Sequence, residues 1–326
     1  MRAGIIGIGS YMPDRVVSNF DLERIVDTSN EWIIERTGIS YRRKADDSTC
    51  SSDLGAEAAK LAIKDAKLKP EDIDLILSAS SSPDRIFPAT ACIIQNKIGA
   101  KNAAALDIQA ACTGFIYALT TAVQYIMAGQ YKNILVVGSE VLSKVTDWED
   151  RNTCVLFGDG AGAVVLSEVE NGGVLSSILG ADGSGSELLE LPAGGTKEPA
   201  SFDTVKNRRH YIKMSGNEVF KFAVKVFEDC TRKLVEKADL SLDNIDFIIP
   251  HQANIRIIDA AVKRLKFPRD HIVLNLEKYG NMSSASIPVA LDEAFRIGRI
   301  KKGHKIILVA FGAGLTWGAN LIDWSL

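Results

Sequence analysis

Apolar runs of strand length alternate with stretches of helical period along the whole chain. IDLILSAS (73–80), AAALDIQ (103–109), NILVVGSE (133–140) and GAVVLSEV (162–169) read as strands separated by helical patterns, which predicts α/β layering. A second set follows. IDFIIP (245–250) echoes the first run, HIVLNLEKYG (271–280) the second and KIILVAFGAG (305–314) the third. The echo extends to local wording, since PEDIDLILSASSS (70–82) and LDNIDFIIPHQAN (242–254) share an Ile-Asp pair and an apolar strand, followed by helical patterns at 89–98 and 254–266. The chain thus reads as one unit written twice. The join falls near Gly172-Gly173, dividing it into halves 1–173 and 174–326, with GGVLSSILGADG opening the second as GIIGIGSYMPD opens the first.

With 326 residues and 46% apolar content, the chain can build a sizeable core. The opening MRAGIIGIGSYMPD lacks the apolar run and cleavage pattern of a signal peptide, and no later segment supplies the roughly 20 apolar residues of a membrane span. A cytoplasmic protein with no membrane association is expected. The net charge of −3 gives no general reason to expect nucleic acid. Five scattered cysteines (50, 92, 112, 154 and 230) fit neither a disulfide framework nor zinc spacing. His210, His271 and His304 lack partner spacing for a metal, and Gly7-Ile8-Gly9 runs into Pro13 without the third glycine of a dinucleotide fingerprint. No metal or redox cofactor is expected.

Ligands in open α/β layers collect beyond the carboxyl ends of strands, and a duplicated unit brings two such ends together. In LDIQAACTGFIYALTTAVQYIMAG the strand ends near Gln109, and the helical positions Phe115, Ile116, Leu119, Ala122, Val123, Ile126 and Met127 run to Gly129. Cys112 therefore falls at a helix start, where unpaired N–H groups and the helix dipole favour a thiolate; a lowered pKa and an activated nucleophile are predicted. A cysteine buried in an apolar helix is the plainer alternative. In LNLEKYGNMSSASIPVALDEAF the strand ends near Leu276, and Asn281 begins a helix through Ile287, Ala290, Leu291 and Phe295, so the repeat predicts Asn281 as the counterpart of Cys112. His251 ends a strand in the polar run His251-Gln252-Ala253-Asn254, where a core strand would simply turn. Cys112, His251 and Asn281 are expected to meet across the pseudo-twofold.

Two further segments carry candidate binding groups. Thr28-Ser29-Asn30-Glu31 reads as a capping box opening a short helix closed by Gly38, with Trp32 and Arg36 one turn apart. An aromatic plane beside a guanidinium suits an adenine nucleotide. NIRIIDAAVKRLKF puts Ile257, Ile258, Ala261, Val262 and Leu265 on a buried face and leaves Arg256, Lys263 and Arg264 outside.

ACTGFIYAL around Cys112, HQANIRI (251–257), YGNMSSAS (279–286) and FGAGLTWGA (311–319) resemble β-ketoacyl-acyl carrier protein synthase III, the initiating condensing enzymes of bacterial fatty-acid synthesis. The resemblance runs from GIGSYMPDRVVSN near the start to the final strand. It implies the thiolase fold, an α/β five-layered αβαβα sandwich of two similar five-stranded halves, as a homodimer. It also implies a reaction: Cys112 takes an acyl group, acetyl being the expected primer, from acyl-coenzyme A. Malonyl-acyl carrier protein then loses carbon dioxide, and its enolate attacks the thioester. His251 and Asn281 would serve the enolate oxygen, and the backbone N–H groups of Cys112 and Ala313 the acyl oxyanion. For coenzyme A, a substrate rather than a cofactor, the resemblance implies adenine stacking at Trp32 and Arg151 and phosphate contact at Arg36, with Thr28 alongside. Pantetheine contacts fall to Asn254 and the Gly216 to Phe220 stretch. Phe87 would enter the partner's acyl pocket. Acyl carrier proteins are acidic, so Arg256, Lys263 and Arg264, with Lys221 nearby, are the expected docking patch.

Elongating synthases pair the cysteine with two histidines, and thiolases use a second cysteine; Asn281 sets this chain apart from both. A Cys-His-Asn synthase of a polyketide or other secondary pathway is the enzymatic alternative, separable by acyl specificity. A non-catalytic acyl-carrier or coenzyme A binding protein is the alternative from another class, and the intact Cys112 speaks against it.

Overall fold

The computed structural model describes residues 2–326. Five strands from its first part, β1 (Arg2–Tyr11), β2 (Leu75–Ala79), β3 (Ala104–Ile108), β4 (Ile134–Val141) and β5 (Asp159–Val169), form one sheet in the order β1-β5-β4-β2-β3. Four strands from the rest, β6 (Gly173–Ala181), β7 (Phe247–Pro250), β8 (Lys305–Gly312) and β9 (Thr316–Asp323), form another in the order β7-β8-β9-β6. The central strands are apolar along their length because both faces are covered. In β4, Leu135 and Val137 face one helical layer while Ile134 and Val136 face the other.

The expected strand within 271–280 does not form. Only Ile272 bridges to Ile248, after which a side chain takes the place of the ladder. Gln252 Nε2 donates to the Val273 carbonyl at 3.2 Å, its Oε1 accepts from the Asn275 N–H at 3.1 Å, and the chain turns into a helix at Leu276–Tyr279. The second sheet accordingly has four strands rather than five.

Seven helices matter here: α1 (Asn30–Thr37), α2 (Ser51–Asp65), α3 (Thr90–Ile98), α4 (Gly114–Met127), α5 (Gly216–Lys237), α6 (Ile255–Leu265) and α7 (Ser286–Arg296). On the outer face of the first sheet, α2 and α3 set Leu54, Ala62 and Ile94 against Ile76 and Val165. Between the sheets, α4 and α7 pack Phe115, Leu119, Ile287 and Leu291 among Leu77, Val136, Ile249 and Leu308. On the far face, α5 and α6 cover Ile248, Ile307 and Leu321 with Phe227, Leu234, Ile258 and Leu265. The result is the five-layered αβαβα sandwich. Truncating Phe115 in the shared middle layer would cost about 3–5 kcal/mol. As the spacing predicts, α6 buries Ile257, Ile258, Ala261, Val262 and Leu265. Met127, the last of the helical positions read from the sequence, is exposed at the end of α4. The Gly7-Ile8-Gly9 run serves packing, because a Cβ on Gly7 would collide with the Ala62 carbonyl oxygen of α2.

The two sheets repeat each other residue by residue at their centres. Leu75 pairs with Ile134 as Phe247 pairs with Ile306. Asp74 accepts from the Asn133 N–H at 2.8 Å as Asp246 accepts from the Lys305 N–H at 2.7 Å. Counting along β4 and β8 from these pairs, Glu140 corresponds to Gly312. The turns leading into α4 and α7 match as well. Ala111–Thr113 and Ser283–Ala285 are 3₁₀ turns whose first residues take positive φ, 47° for Ala111 and 43° for Ser283. Cys112 is therefore the counterpart of Ser284, and the expected equivalence with Asn281 is corrected. Asn281 lies ahead of its turn, in an isolated bridge with Phe157, and does not begin a helix.

Candidate active site

Cys112 stands at the junction of two cavities. One, of about 200 Å³, is lined by Cys112, His251, Asn281, Trp32, Arg36 and Asn254 among others. The second, of about 350 Å³, places Leu142, Val145, Leu189 and Ile212 beside Cys112 and Ala313. Phe157 and Leu189 border both. A wider groove of about 600 Å³ lies apart from Cys112 among charged side chains such as Asp53, Lys97, Glu57 and Lys60, which pair with one another.

His251 follows β7, its N–H donating to the Val309 carbonyl at 2.8 Å and its ring standing edge-on to Phe311 at 5.5 Å between centroids. Its Nδ1 is buried and finds no partner among the described residues, so the Nε2 edge is the one left to the cavity. Burial pulls the imidazole pKa from 6.5 down to about 3, and the ring is neutral at physiological pH. Asn281 is pinned through its backbone: its N–H donates to the Leu156 carbonyl at 2.9 Å, and its carbonyl accepts from the Gly158 N–H at 3.0 Å. Its side-chain Oδ1 accepts from the Ser283 N–H at 2.8 Å. With that oxygen engaged, the NH2 group is what the side chain offers the cavity.

The thiol of Cys112 differs from the sequence expectation. Burial pushes it up to about 12, with the Glu140 carboxyl adding to the rise against hydrogen bonds from Ser283 and the backbone. Loss of solvation is the largest cause, because the sulfur lies in a turn ahead of α4 between apolar walls. The resting pair is a thiol and a neutral imidazole. In front of the Cys112 N–H the chain leaves a niche: a Cβ on Gly312 would come within 2.8 Å of that nitrogen and 3.2 Å of the Thr113 nitrogen. Thr316 Oγ1 lies 3.0 Å from the Ala313 carbonyl and 3.1 Å from the Ala110 carbonyl, tying the two loops that border the niche.

At the mouth of the smaller cavity, Ser29 rather than Thr28 caps α1, accepting from the Trp32 N–H at 3.1 Å. The Thr28–Glu31 box does not form because Ser29 holds the cap position, and Thr28 borders neither cavity. The Trp32 ring receives the guanidinium of Arg151 at 5.2 Å and that of Arg36 at 5.9 Å, both within cation–π range. Asn254 caps α6 by accepting from the Arg256 N–H at 2.9 Å, and its Nδ2 donates to the Arg36 carbonyl at 2.9 Å. Gly216 and Phe220, at the start of α5, line the same cavity.

The remaining candidates lie on the surface. Phe87 is 82% exposed and borders neither cavity, beside an equally exposed Ile86. Among the described residues Arg256 and Lys263 take no ion-pair partner, whereas Lys221 pairs with Glu218 at 2.9 Å and Arg264 reaches Glu228 at 4.0 Å. Leu142, Val145, Leu189 and Ile212 were missed by sequence reasoning, since apolar residues in strand ends and loops carry no signal of a cavity. Among the described residues no helix is long and apolar enough to cross a membrane, and no group of three His, Cys, Asp or Glu side chains could hold a metal ion.

Known proteins share this architecture. The chain matches the family model 3-oxoacyl-[acyl-carrier-protein (ACP)] synthase III over residues 106–183 and that of its C-terminal part over residues 235–324. It is 57% identical over 326 residues to a β-ketoacyl-[acyl-carrier-protein] synthase III of Caldanaerobacter subterraneus subsp. tengcongensis, covering 100% of this chain and 98% of that one. The crystal structure of 3-oxoacyl-[acyl-carrier-protein] synthase III from Aquifex aeolicus superposes with a TM-score of 0.91 at 47% identity, covering 99% and 100% of the two chains. A priming β-ketosynthase of the R1128 polyketide pathway superposes equally well, with a TM-score of 0.92 and coverage of 99% and 97%, but at only 34% identity.

Proposed function

The chain belongs to the 3-oxoacyl-[acyl-carrier-protein] synthase III family, and from that premise we propose how its residues divide the two half-reactions. The protein is a condensing acyltransferase that joins an acyl-coenzyme A primer to malonyl-acyl carrier protein and so initiates fatty-acid synthesis. A priming role in a polyketide pathway is less supported, since the identity there is lower.

In the first half-reaction the Cys112 sulfur attacks the thioester carbonyl of the primer. Its proton leaves with coenzyme A as the free thiol, and the acyl group remains on Cys112. The N–H groups of Cys112 and Ala313 receive the oxyanion in the niche that Gly312 keeps open. Trp32, Arg151 and Arg36 hold the nucleotide end, and Asn254, Gly216 and Phe220 flank the pantetheine arm. The acyl chain lies toward Leu142, Val145 and Ile212. In the second half-reaction malonyl-acyl carrier protein loses carbon dioxide, and its enolate oxygen takes hydrogen bonds from His251 Nε2 and the Asn281 amide. The enolate carbon then displaces Cys112, giving 3-oxoacyl-acyl carrier protein. A neutral histidine and an amide suit this step: both donate without first releasing a proton.

Arg256 and Lys263, with Lys221 and Arg264, dock the acidic carrier. The half 1–173 supplies the nucleophile and the half 174–326 the histidine and asparagine, a division supported by the matched Asp74 and Asp246 bonds. The protein works in the cytoplasm as a homodimer. The outer edge of β3 is unpaired and Leu106, Ile86 and Phe87 are exposed, which supports pairing there, with Phe87 entering the partner's acyl cavity and restricting it to short primers such as acetyl.

The observation that carries this reading is Cys112 between an apolar cavity and one holding His251 and Asn281. Intact-protein mass spectrometry after mixing with acetyl-coenzyme A should show one acetyl adduct, mapped by peptide digestion to Cys112. Labelling at Cys50, Cys92, Cys154 or Cys230 would overturn the assignment.

A further inference from the structure

Glu140, the last residue but one of β4, is fully buried, and among the described residues no Lys, Arg or His pairs with it. Its carboxyl collects polar hydrogens instead. The Ser81 N–H lies 3.0 Å from both oxygens; the Ser82 N–H and Oγ lie 3.1 and 2.7 Å from Oε2; the Ser284 N–H and Oγ lie 3.3 and 2.7 Å from Oε1; and Ser80 Oγ is 3.4 Å away. Burial raises the carboxyl's pKa, and these donors oppose the rise.

The donors belong to two distant segments, the loop after β2 and the turn that follows Asn281. Ser283 joins the two: its Oγ is 3.0 Å from Ser81 Oγ, and its N–H holds the Asn281 Oδ1. A continuous path thus runs from the carboxyl, through one turn, to the amide facing the cavity. The repeat gives this arrangement its meaning. Ser284 is the counterpart of Cys112, and Glu140 is the counterpart of Gly312. Before the Ser284 N–H stands a permanent carboxyl; beside the Cys112 nitrogen the equivalent position, Gly312, carries no side chain.

We infer that Glu140 is a positioning residue for condensation: it fills the twin of the niche at Cys112 and, through the Ser283–Ser284 turn, fixes the direction in which Asn281 presents its amide. The inference rests on the role proposed above for Asn281 in decarboxylation.

Glu140→Gln keeps the shape of the side chain but sets an NH2 group against backbone N–H donors on one side or the other. Acylation of Cys112 by acetyl-coenzyme A and carbon dioxide release from malonyl-acyl carrier protein on pre-acylated enzyme are timed separately for Glu140→Gln, Asn281→Ala and the double variant. The expected result is a loss of about 10- to 100-fold in carbon dioxide release, as for an ångström-scale misplacement of a catalytic group, with acylation slowed by no more than about 3-fold, since removing the carboxyl's charge relieves its push on the Cys112 thiol. Because Glu140 acts through Asn281, the double variant should release carbon dioxide within about 2-fold of Asn281→Ala alone. Ser284→Ala, which spares the backbone N–H, should show the same selective loss in smaller measure and serves if Glu140→Gln does not fold. Equal losses in both half-reactions for Glu140→Gln, or losses that multiply in the double variant, would reduce Glu140 to core support. If Asn281→Ala itself slowed both half-reactions equally, the functional reading would fail first.

Discussion

Replacing His251 by glutamine gives a direct measure of how strongly the fold holds that imidazole neutral. In the folded chain its pKa is pulled down to about 3, whereas the unfolded chain keeps the ordinary 6.5. Between those values the unfolded state takes up a proton that the folded state refuses. The stability contribution is therefore complete above pH 6.5 and falls as the pH drops through the window toward 3, at about 1.4 kcal/mol per pH unit. From pH 7 to pH 5 the loss amounts to about 2 kcal/mol for the single proton. Urea unfolding of the parent and of His251→Gln, each at pH 7 and pH 5, isolates this amount, because every other titrating group cancels in the difference. The variant should lose about 2 kcal/mol less than the parent across that interval. Side-chain NMR provides the independent check, using His251→Gln to assign the ring among the four histidines. The His251 resonances should stay at their neutral positions down to pH 5. A ring that titrates between pH 6 and 7, or identical pH dependence in the two proteins, would refute the reasoning and make His251 a solvated or charge-paired residue.

Two further perturbations address the niche and the docking surface. Gly312→Ala sets a Cβ 2.8 Å from the Cys112 nitrogen, so the Cys112 loop must shift, and the rate of Cys112 acylation should fall by about 100-fold or more, the scale of losing an oxyanion donor, while the circular dichroism spectrum stays that of the parent; an acylation rate within about 3-fold of the parent would show that the space before the Cys112 N–H is not used. Arg256→Glu should raise the Michaelis constant for malonyl-acyl carrier protein more at low salt than at high salt, with acetyl-coenzyme A acylation changed much less; a defect indifferent to ionic strength would place the carrier elsewhere.

Periodicity gave the layers and most of their faces, as α6 illustrates, because burial on one side leaves a repeating apolar mark. It failed at 271–280, where a strand-like composition is diverted by one buried glutamine whose amide substitutes for ladder bonds. The repeat was legible in the strands but misleading at the turns. Asn281 looks like the twin of Cys112 because both follow a strand, and only the positive φ of Ala111 and Ser283 reveals that Ser284 holds that place. The cysteine, histidine and asparagine announce themselves by being polar or reactive at strand ends, and the fold brings all three to one cavity. Their electrostatic state was not legible: the helix start argues for a thiolate, whereas the burial that opposes it depends on Leu142, Phe157 and other residues far apart in the chain. Glu140 was silent for the same reason, since its partners come from serines that no spacing rule connects to it.

The two cavities meeting at Cys112 impose an order of traffic. On the proposed division of the site the apolar chamber beyond the sulfur takes the acyl chain of the primer, so coenzyme A and the carrier's arm share the cavity that Trp32 and Asn254 line. By that reading the shared cavity takes one arm at a time. Departing coenzyme A must clear it before the carrier can enter, and a carrier that arrives before acylation blocks the primer. Each donor thus competes with the other for one route, and the enzyme's throughput responds to the ratio of the two pools as well as to their size.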